Sequence, residues 1–386
     1  MALRQRGPDS RVDIMRDLGQ SPRIALLRAG GLGDFISTTA ALRAVRAALP
    51  QASLTLITSP NVAPLARRYD AIDHIVVAPA YPGVVKGTPD DAATSAFFKS
   101  MEREHFDLAL QWHGGGTHSN RFVQRLGARV TAGFKGEDAP PLDHWIPYDV
   151  RQHEVLRYLD LLRLLGIESS DVRTYLPVIP ADHEELSALR GLVDQKALDQ
   201  GMCMGIHASA GAPSRRWAPE RFALVADRLL EEFGFQAVLV TAGPGQESDS
   251  AAVVANMAAR NRAVDLGGKI TLGGLVALIS QLGFFLGNDS GPSHMAVALG
   301  TPSVVVFGSA HPINWAPLER TYHRAVAYWA APCRWMINDG CPDTAHVPCI
   351  QGVQPEEVLA EARQLLRMLG MKPPRPKRRP RGTHTA

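Results

Sequence analysis

The sequence predicts an α/β protein in which two doubly wound parallel sheets face one another across a central cleft. Three observations predict it. Short apolar runs that read as buried strands alternate with helix-spaced patterns, which implies parallel sheets covered on both faces. The alternation occurs twice, on either side of a polar, helix-prone stretch from Asp182 to Gln200. Glycine-rich loops follow strands in both halves, at the strand ends where such sheets hold their ligands.

In chain order, Arg23 to Ala29 (RIALLRA) is a buried strand ended by Gly30-Gly31-Leu32-Gly33. Phe35 to Leu49 carries apolar residues at helical spacing, and Pro50 stops it. Leu54 to Thr58 and Asp73 to Val77 read as the second and third strands. Phe106 to Trp112 is the fourth, followed by the loop His113-Gly114-Gly115-Gly116. Arg129 to Phe134 is the last clear strand of this half, ahead of a helix from Glu154 to Leu165. In the second half Met202 to His207, Gln236 to Thr241, Phe284 to Gly287 and Ser303 to Phe307 read as strands. Pro219 to Phe233 is an amphipathic helix with proline near its start. The resulting division is an extension (1–22), a first doubly wound domain (23–180), a linker (181–200), a second domain (201–353), a helix (354–370) and a tail (371–386).

A hydrophobic fraction of 45% and a charged fraction of 20% over 386 residues exclude collagen-like, disordered and disulfide-scaffold classes for the bulk of the chain. No run approaches the roughly 18 apolar residues of a membrane span. The first 22 residues carry Arg4, Arg6, Asp9, Arg11, Asp13 and Asp17 and lack the apolar run of a secretory signal. Four cysteines make no disulfide framework, and a cytoplasmic home fits. The net charge of +3 hides an asymmetry, because Lys372, Arg375, Lys377, Arg378, Arg379 and Arg381 crowd the last 16 residues with no acid. Setting those six aside leaves 35 basic against 38 acidic residues, so the body is mildly acidic. The tail, interleaved with Pro373, Pro374, Pro376 and Pro380, is expected to be extended. Its readings are loose attachment to anionic phospholipid, at about 1 kcal/mol per charge, contact with nucleic acid, or mere solubilisation; of these a nucleic-acid partner is not the expected one.

Four strand-end motifs carry chemistry. Arg28-Ala29-Gly30-Gly31-Leu32-Gly33-Asp34 lacks both the dinucleotide G-x-G-x-x-G spacing and the Lys-Ser/Thr of a Walker loop. Gly30, Gly31 and Gly33 permit a tight turn and close ligand approach. Asp34 either caps the following helix or stands as a general base at the cleft floor, and one residue can do both. Gly287-Asn288-Asp289-Ser290-Gly291-Pro292-Ser293-His294 delivers a strand into a short helix whose first N–H groups form an anion site, with a diphosphate as the natural occupant. Taken singly, Asp289 or Ser290 is a cap and His294 a buried histidine; packed together they read as a site. His207 to Pro219 holds Arg215 and Arg216, whose guanidinium groups suit phosphate oxygens, beside Trp217. Glu247, after Gly243-Pro244-Gly245, is either a ribose acceptor or a support for the first turn of a helix. Cys333, Cys341 and Cys349, with seven residues between neighbours, lack the C-x2-C pairing of a zinc site, although His346 could supply a fourth ligand; small buried thiols are the default.

Together these motifs resemble glycosyltransferase family 9, the ADP-heptose:lipopolysaccharide heptosyltransferases. The G-G-L-G-D loop, the R-R-W-A-P turn, the G-K-I-T-L stretch at 268–272 and the G-N-D-S-G-P-S-H-M segment occur in the family's order, and the likeness runs from Arg23 to Leu369. The resemblance implies the GT-B fold: two Rossmann-like domains, donor nucleotide on the second, acceptor on the first, and the final helix, Pro355 to Leu369, crossing back to the first. It implies that Asp34 is the general base of an inverting transfer, with Ser209 and Arg215 on phosphate. It places Asp289, Ser290, Gly291 and His294 around the diphosphate and donor sugar, Lys269 and Ile270 along adenine, and Glu247 at the ribose. It implies no cofactor and no metal, positive side chains and helix N-termini taking that role. The implied reaction moves heptose from ADP-heptose to a lipopolysaccharide inner-core acceptor, at the cytoplasmic face of the inner membrane. A nucleotide-sugar epimerase of similar architecture and a non-catalytic nucleotide-sugar-binding protein are the rivals. Arg215 stands where the family usually has lysine, Ala210 where a second hydroxyl is common, and Tyr81 to Ser95, on the acceptor side, has no family counterpart.

Overall fold

In a computed structural model, residues 18–331 and 347–371 are described. Cys333, Cys341, His346 and the basic residues of the tail lie outside the described residues, as does most of the N-terminal extension.

The first domain contains β1 (Arg23–Leu27), α1 (Leu32–Ile36), α2 (Thr39–Ala48), β2 (Ser53–Thr58), α3 (Ala63–Ala66), β3 (His74–Val77), α4 (Asp91–Glu102), β4 (Leu108–Gln111), α5 (Ser119–Gln124), β5 (Val130–Lys135), β6 (His144–Pro147) and α6 (Glu154–Leu164). Two linker helices follow, α7 (Pro180–Ser187) and α8 (Gln195–Asp199). The second domain contains β7 (Cys203–His207), α9 (Pro219–Phe233), β8 (Ala237–Thr241), α10 (Glu247–Asn256), β9 (Ala263–Asp265), α11 (Leu272–Gln281), β10 (Phe284–Asn288), α12 (Gly291–Leu299), β11 (Ser303–Phe307), α13 (Pro312–Trp315), β12 (His323–Ala327), α14 (Pro348–Gln351) and α15 (Pro355–Met368).

The sheet orders are β3-β2-β1-β4-β5-β6 and β12-β11-β10-β7-β8-β9. Every pairing is parallel, and each sheet has the doubly wound order in which the connection reverses beside its first strand. The reversal opens a crevice between β1 and β4 in one domain and between β7 and β10 in the other. Burial explains the strands: Ile24 to Leu27 and Phe284 to Asn288 are enclosed on both faces, as central parallel strands must be. Among the described residues no helix is long and apolar enough to cross a membrane.

Three expectations need correction. The pattern from Phe35 to Leu49 is two helices, because Ser37, Thr38 and Thr39 each turn a hydroxyl back onto a carbonyl three residues earlier. Such back-bonding competes with the helical ladder and breaks it at Ser37–Thr38. Each sheet also has more strands than the pattern shows: β6, β9 and β12 are short and partly exposed, and carry no continuous apolar run. The last helix, α15, does not cross back. Val358, Leu359, Ala362, Leu365 and Leu366 join Phe222, Leu229 and Phe233 of α9 and the β11 valines in one core of the second domain. Arg363 of α15 adds an ion pair to Glu232 of α9. The corresponding face of the first sheet is already covered by α6, whose Tyr158, Leu161 and Leu162 pack with Trp112 and Phe134.

The domains share a seam. Arg68, just beyond α3, makes a buried bidentate ion pair with Asp182 of α7, itself packed on α11. Tyr69 donates its hydroxyl to the Tyr175 carbonyl at 2.7 Å, and the Leu176 N–H bonds the Ala298 carbonyl of α12 at 3.2 Å. At the far side Asn314 donates to the carbonyls of Val150 and Gln152 at 2.6 and 2.9 Å. His153, at the start of α6, accepts the Val155 N–H at Nδ1, so Nε2 carries the proton and donates to the Ala316 carbonyl at 2.8 Å.

Candidate active site

On the first domain, β1 carries the chain into Gly30, whose φ of 109° and whose Cβ position, 2.8 Å from Asp34 Oδ2, admit only glycine. Asp34 is the third residue of α1. Its Oδ2 accepts the Gly31 N–H at 2.7 Å, so the capping role is real. Its Oδ1 accepts Arg28 Nη2 at 3.0 Å, yet the side chain is still 34% exposed, against 5% for Arg28. Capping leaves about a third of the carboxylate exposed, so the cap and the expected general base do not exclude one another.

Arg28 has no role in the sequence reading. It ends an apolar strand run, and that is the only signal, since a charge at the close of RIALLRA is costly to bury without partners. Its Nε donates to the Asp34 carbonyl at 3.1 Å and its Nη1 to the Trp112 carbonyl at 3.0 Å. The guanidinium lies 5.7 Å from the centre of the Tyr158 ring. Beside it, the ring nitrogens of His113 sit 3.2 Å from the Ala29 carbonyl and 3.1 Å from that of Gly83. Burial, helped by the Arg28 charge, pushes the His113 pKa below its ordinary value. Tyr81 and Val85 pair as a small hairpin, and its Gly83 is linked through His113 to Ala29 beside the glycine loop.

On the second domain the buried side chain of Asn288 organises the site. It donates to the Ala208 carbonyl at 2.7 Å and accepts the Trp217 N–H at 2.9 Å, tying the end of β10 to the loop after β7 and to the R-R-W-A-P turn. Asp289, only 4% exposed in its side chain, stands 3.4 Å from Arg215 Nη1 and 3.5 Å from His294 Nε2. Ser290 is the N-cap of α12, its hydroxyl on the Asn288 carbonyl. Gly291 and Pro292 open the helix, so Asp289, Ser290, Gly291 and His294 cluster with Arg215 as the sequence reading expects.

The two halves meet here. A Cβ on Gly33 would lie 2.5 Å from His294 Cδ2, and one on Gly291 would lie 3.2 Å from Leu32 Cβ. The His294 ring also meets Trp315 edge-on at 5.8 Å. Behind this contact, between the domains, lies a cavity of about 350 Å3 bordered by His294, Val297, Leu299, Trp315 and His153.

Farther out on the second sheet, Glu247 and the loop before α11 are neighbours, since a Cβ on Gly268 would lie 3.0 Å from Glu247 Cγ. Glu247 accepts the Gly245 N–H at 2.9 Å, and bonds from its own N–H and that of Gly245 hold its carboxyl below the usual range. Lys269 donates to the Asp265 carbonyl at 2.8 Å, and Ile270 is half-buried beside Gly274. Ser209 does not join the cleft surface. It is fully buried, accepts the Gly243 N–H at 2.7 Å and donates to His207 Nε2 at 3.1 Å. Through these two bonds its hydroxyl joins the loops after β7 and β8. Cys349 is buried on α14.

Two doubly wound sheets whose strand ends converge on one cleft, one carrying a glycine loop with a carboxylate and the other an anion-suited helix start, define a protein of GT-B architecture. A solved glycosyl transferase family 9 structure from Veillonella parvula superposes with a TM-score of 0.72 at 21% identity, covering 90% of this chain and 98% of that one. The structure of the E. coli ADP-heptose lipopolysaccharide heptosyltransferase II gives 0.69 at 19% identity, covering 90% and 99%. The family model described as glycosyltransferase family 9 (heptosyltransferase) matches residues 94–339, and the chain belongs to that family. Lipopolysaccharide heptosyltransferase 3 of Escherichia coli K12 is 31% identical over 227 residues, 55% of this chain. The match spans 60% of that relative and 50% of a second E. coli heptosyltransferase 3.

Proposed function

We propose that this protein is an inverting glycosyltransferase that moves heptose from ADP-heptose onto a lipopolysaccharide inner-core acceptor at the cytoplasmic face of the inner membrane. The observation that carries the reading is the Asp34 carboxylate, capped yet a third exposed, on a helix that touches the start of α12 beside Arg215, Asp289 and His294. The names of the relatives supply the sugar and the nucleotide.

In this reading the acceptor hydroxyl gives its proton to Asp34 as its oxygen forms a bond to the anomeric carbon. The bond from that carbon to the diphosphate oxygen breaks on the opposite face, and ADP leaves with the electron pair. Arg215 and the N-terminus of α12 take up the growing negative charge, and Ser290 and Gly291 line the diphosphate. Asp289 and His294 hold the donor sugar. Glu247 meets the ribose, and Lys269 and Ile270 flank the adenine. Ser209 acts only through the loops it joins. The hairpin at Tyr81 to Val85 shapes the acceptor side, and the basic tail adds attraction to anionic phospholipid.

Calorimetry with ADP, UDP, GDP and NAD tests the donor, and Asp34→Ala tests the base. ADP binds selectively, and Arg215→Ala weakens it. Asp34→Ala lowers turnover by about 10²- to 10⁴-fold, as loss of a general base does, with ADP affinity within about threefold. Preference for UDP or GDP overturns the donor. Equal loss of turnover and ADP affinity reduces Asp34 to a cap, and free sugar released without acceptor marks an epimerase.

A further inference from the structure

A buried arginine six residues before Asp34 remains outside the reaction as described. Removing a guanidinium from water is costly, and only good hydrogen bonds and a counter-charge offset it. Arg28 has both. Nη2 binds Asp34 Oδ1, Nε binds the carbonyl of the same residue, and Nη1 binds the Trp112 carbonyl at the end of β4. The fork therefore grips Asp34 at side chain and backbone together and anchors it across the β1/β4 crevice.

The rest of the carboxylate is equally fixed. Oδ2 is held by the Gly31 N–H and Oδ1 by Arg28, and about a third of the side chain remains exposed. The Tyr158 ring backs the guanidinium, and the Tyr158 hydroxyl is tied to Glu154 at 2.8 Å, which pairs in turn with Arg157. Glu154 therefore has its own cation, and Asp34 is the carboxylate in ion-pair contact with Arg28. His113 lies on the other flank, its ring nitrogens on the Ala29 and Gly83 carbonyls, and burial and then the Arg28 charge lower its pKa.

We propose that Arg28 is the positioning residue for Asp34: it fixes the plane of the carboxylate and supplies its counter-charge, so that the free lone pairs face the acceptor hydroxyl. This rests on Asp34 being the base. A group held by two independent bonds loses little freedom when substrate arrives, which is how orientation lowers a barrier. Lysine cannot replace the fork, since a single ammonium has no planar array to reach Asp34 and Trp112 together.

The test is a double-variant cycle on the full chain, with Arg28→Met, Arg28→Lys, Asp34→Asn and both doubles. The readouts are kcat, KM for donor and acceptor, ADP affinity by calorimetry and the unfolding midpoint. Arg28→Met is expected to lower kcat by about 10²-fold while ADP affinity and both KM values stay within about threefold, and Arg28→Lys to recover about a tenth of the lost rate. In the Asp34→Asn background either change lowers the residual rate by less than about threefold, because the residue acts through Asp34. Losses that multiply in the doubles overturn the proposal, as does a fall in ADP affinity equal to the fall in kcat. If Arg28→Met does not fold, the lysine arm of the cycle decides by the same criterion. Full activity of Asp34→Asn sinks the base assignment, an outcome separate from additivity in the cycle.

Discussion

Ser209 shows a hydroxyl at a glycine-rich strand end serving the fold. Thr241 donates to the Ile206 carbonyl, which leaves its oxygen to accept from His207 Nδ1, so His207 Nε2 must accept from Ser209. The chain of donors ends at the Gly243 N–H, which bonds Ser209 Oγ. Burial holds the His207 pKa down at about 4, so the ring stays neutral and the chain keeps one direction. Ser209→Ala strands the Gly243 N–H and the His207 nitrogen, a loss of about 1–3 kcal/mol in stability. ADP affinity should change by less than about threefold, since the hydroxyl is not on the cleft surface. Denaturant unfolding and calorimetry on one preparation check this. Tenfold weaker ADP binding at unchanged stability would put the hydroxyl on phosphate.

At the scale of elements, the contact between α1 and α12 joins the two halves of the site, and it depends on the absence of a side chain at Gly33. His294 cannot yield easily, because Trp315 flanks the ring and Asp289 faces its Nε2. Gly33→Ala would therefore force the seam apart, at a cost of about 1–3 kcal/mol. Its kcat/KM should fall at least tenfold with secondary structure intact, whereas Gly191→Ala, with open space at its Cβ, should leave kinetics unchanged. Unchanged kinetics in Gly33→Ala would mean that the contact plays no part in assembling the site. The sequence shows the elements of this contact but not the contact itself. Central strands such as Ile24 to Leu27 and Val304 to Phe307 are legible because burial on both faces demands continuous apolar runs. The edge strands β6 and β12 are not, since half-exposed residues such as Trp145 and Arg324 satisfy no strict pattern. The clustering of Asp289, Ser290 and His294 is legible because it is local. The partnership of Arg28 with Asp34 follows from a turn at Gly30 that no spacing rule encodes, and the side on which α15 docks depends on which apolar face is left uncovered by α6.

For the whole molecule the question is whether the two sheets unfold separately. One apolar cluster runs from Leu26 and Phe35 through Leu176 and Leu186 to Val276 and Met295, so it belongs to both domains. The buried Arg68–Asp182 pair and the bond from His153 to Ala316 close the seam at its two sides. A core shared in this way has no independent halves, and thermal unfolding is expected as one transition. Acid should attack it through histidines. Burial holds His153 and His323, like His207, down to about 4, against 6.5 for the free side chain. Between those values the unfolded chain binds more protons than the folded one, so stability rises with pH. The contribution is complete above 6.5 and is lost as the pH falls towards 4, at about 1.4 kcal/mol per pH unit for each histidine fully titrating only on unfolding. Unfolding between pH 7 and 4.5 should therefore show a single transition whose free energy falls steeply below 6.5. His153→Gln should remove one histidine's share of that slope, about 1.4 kcal/mol per pH unit, because His207 and His323 lie inside the second sheet and keep theirs. Two transitions, with only one of them moved by His153→Gln, would show that the seam is a contact between independent domains.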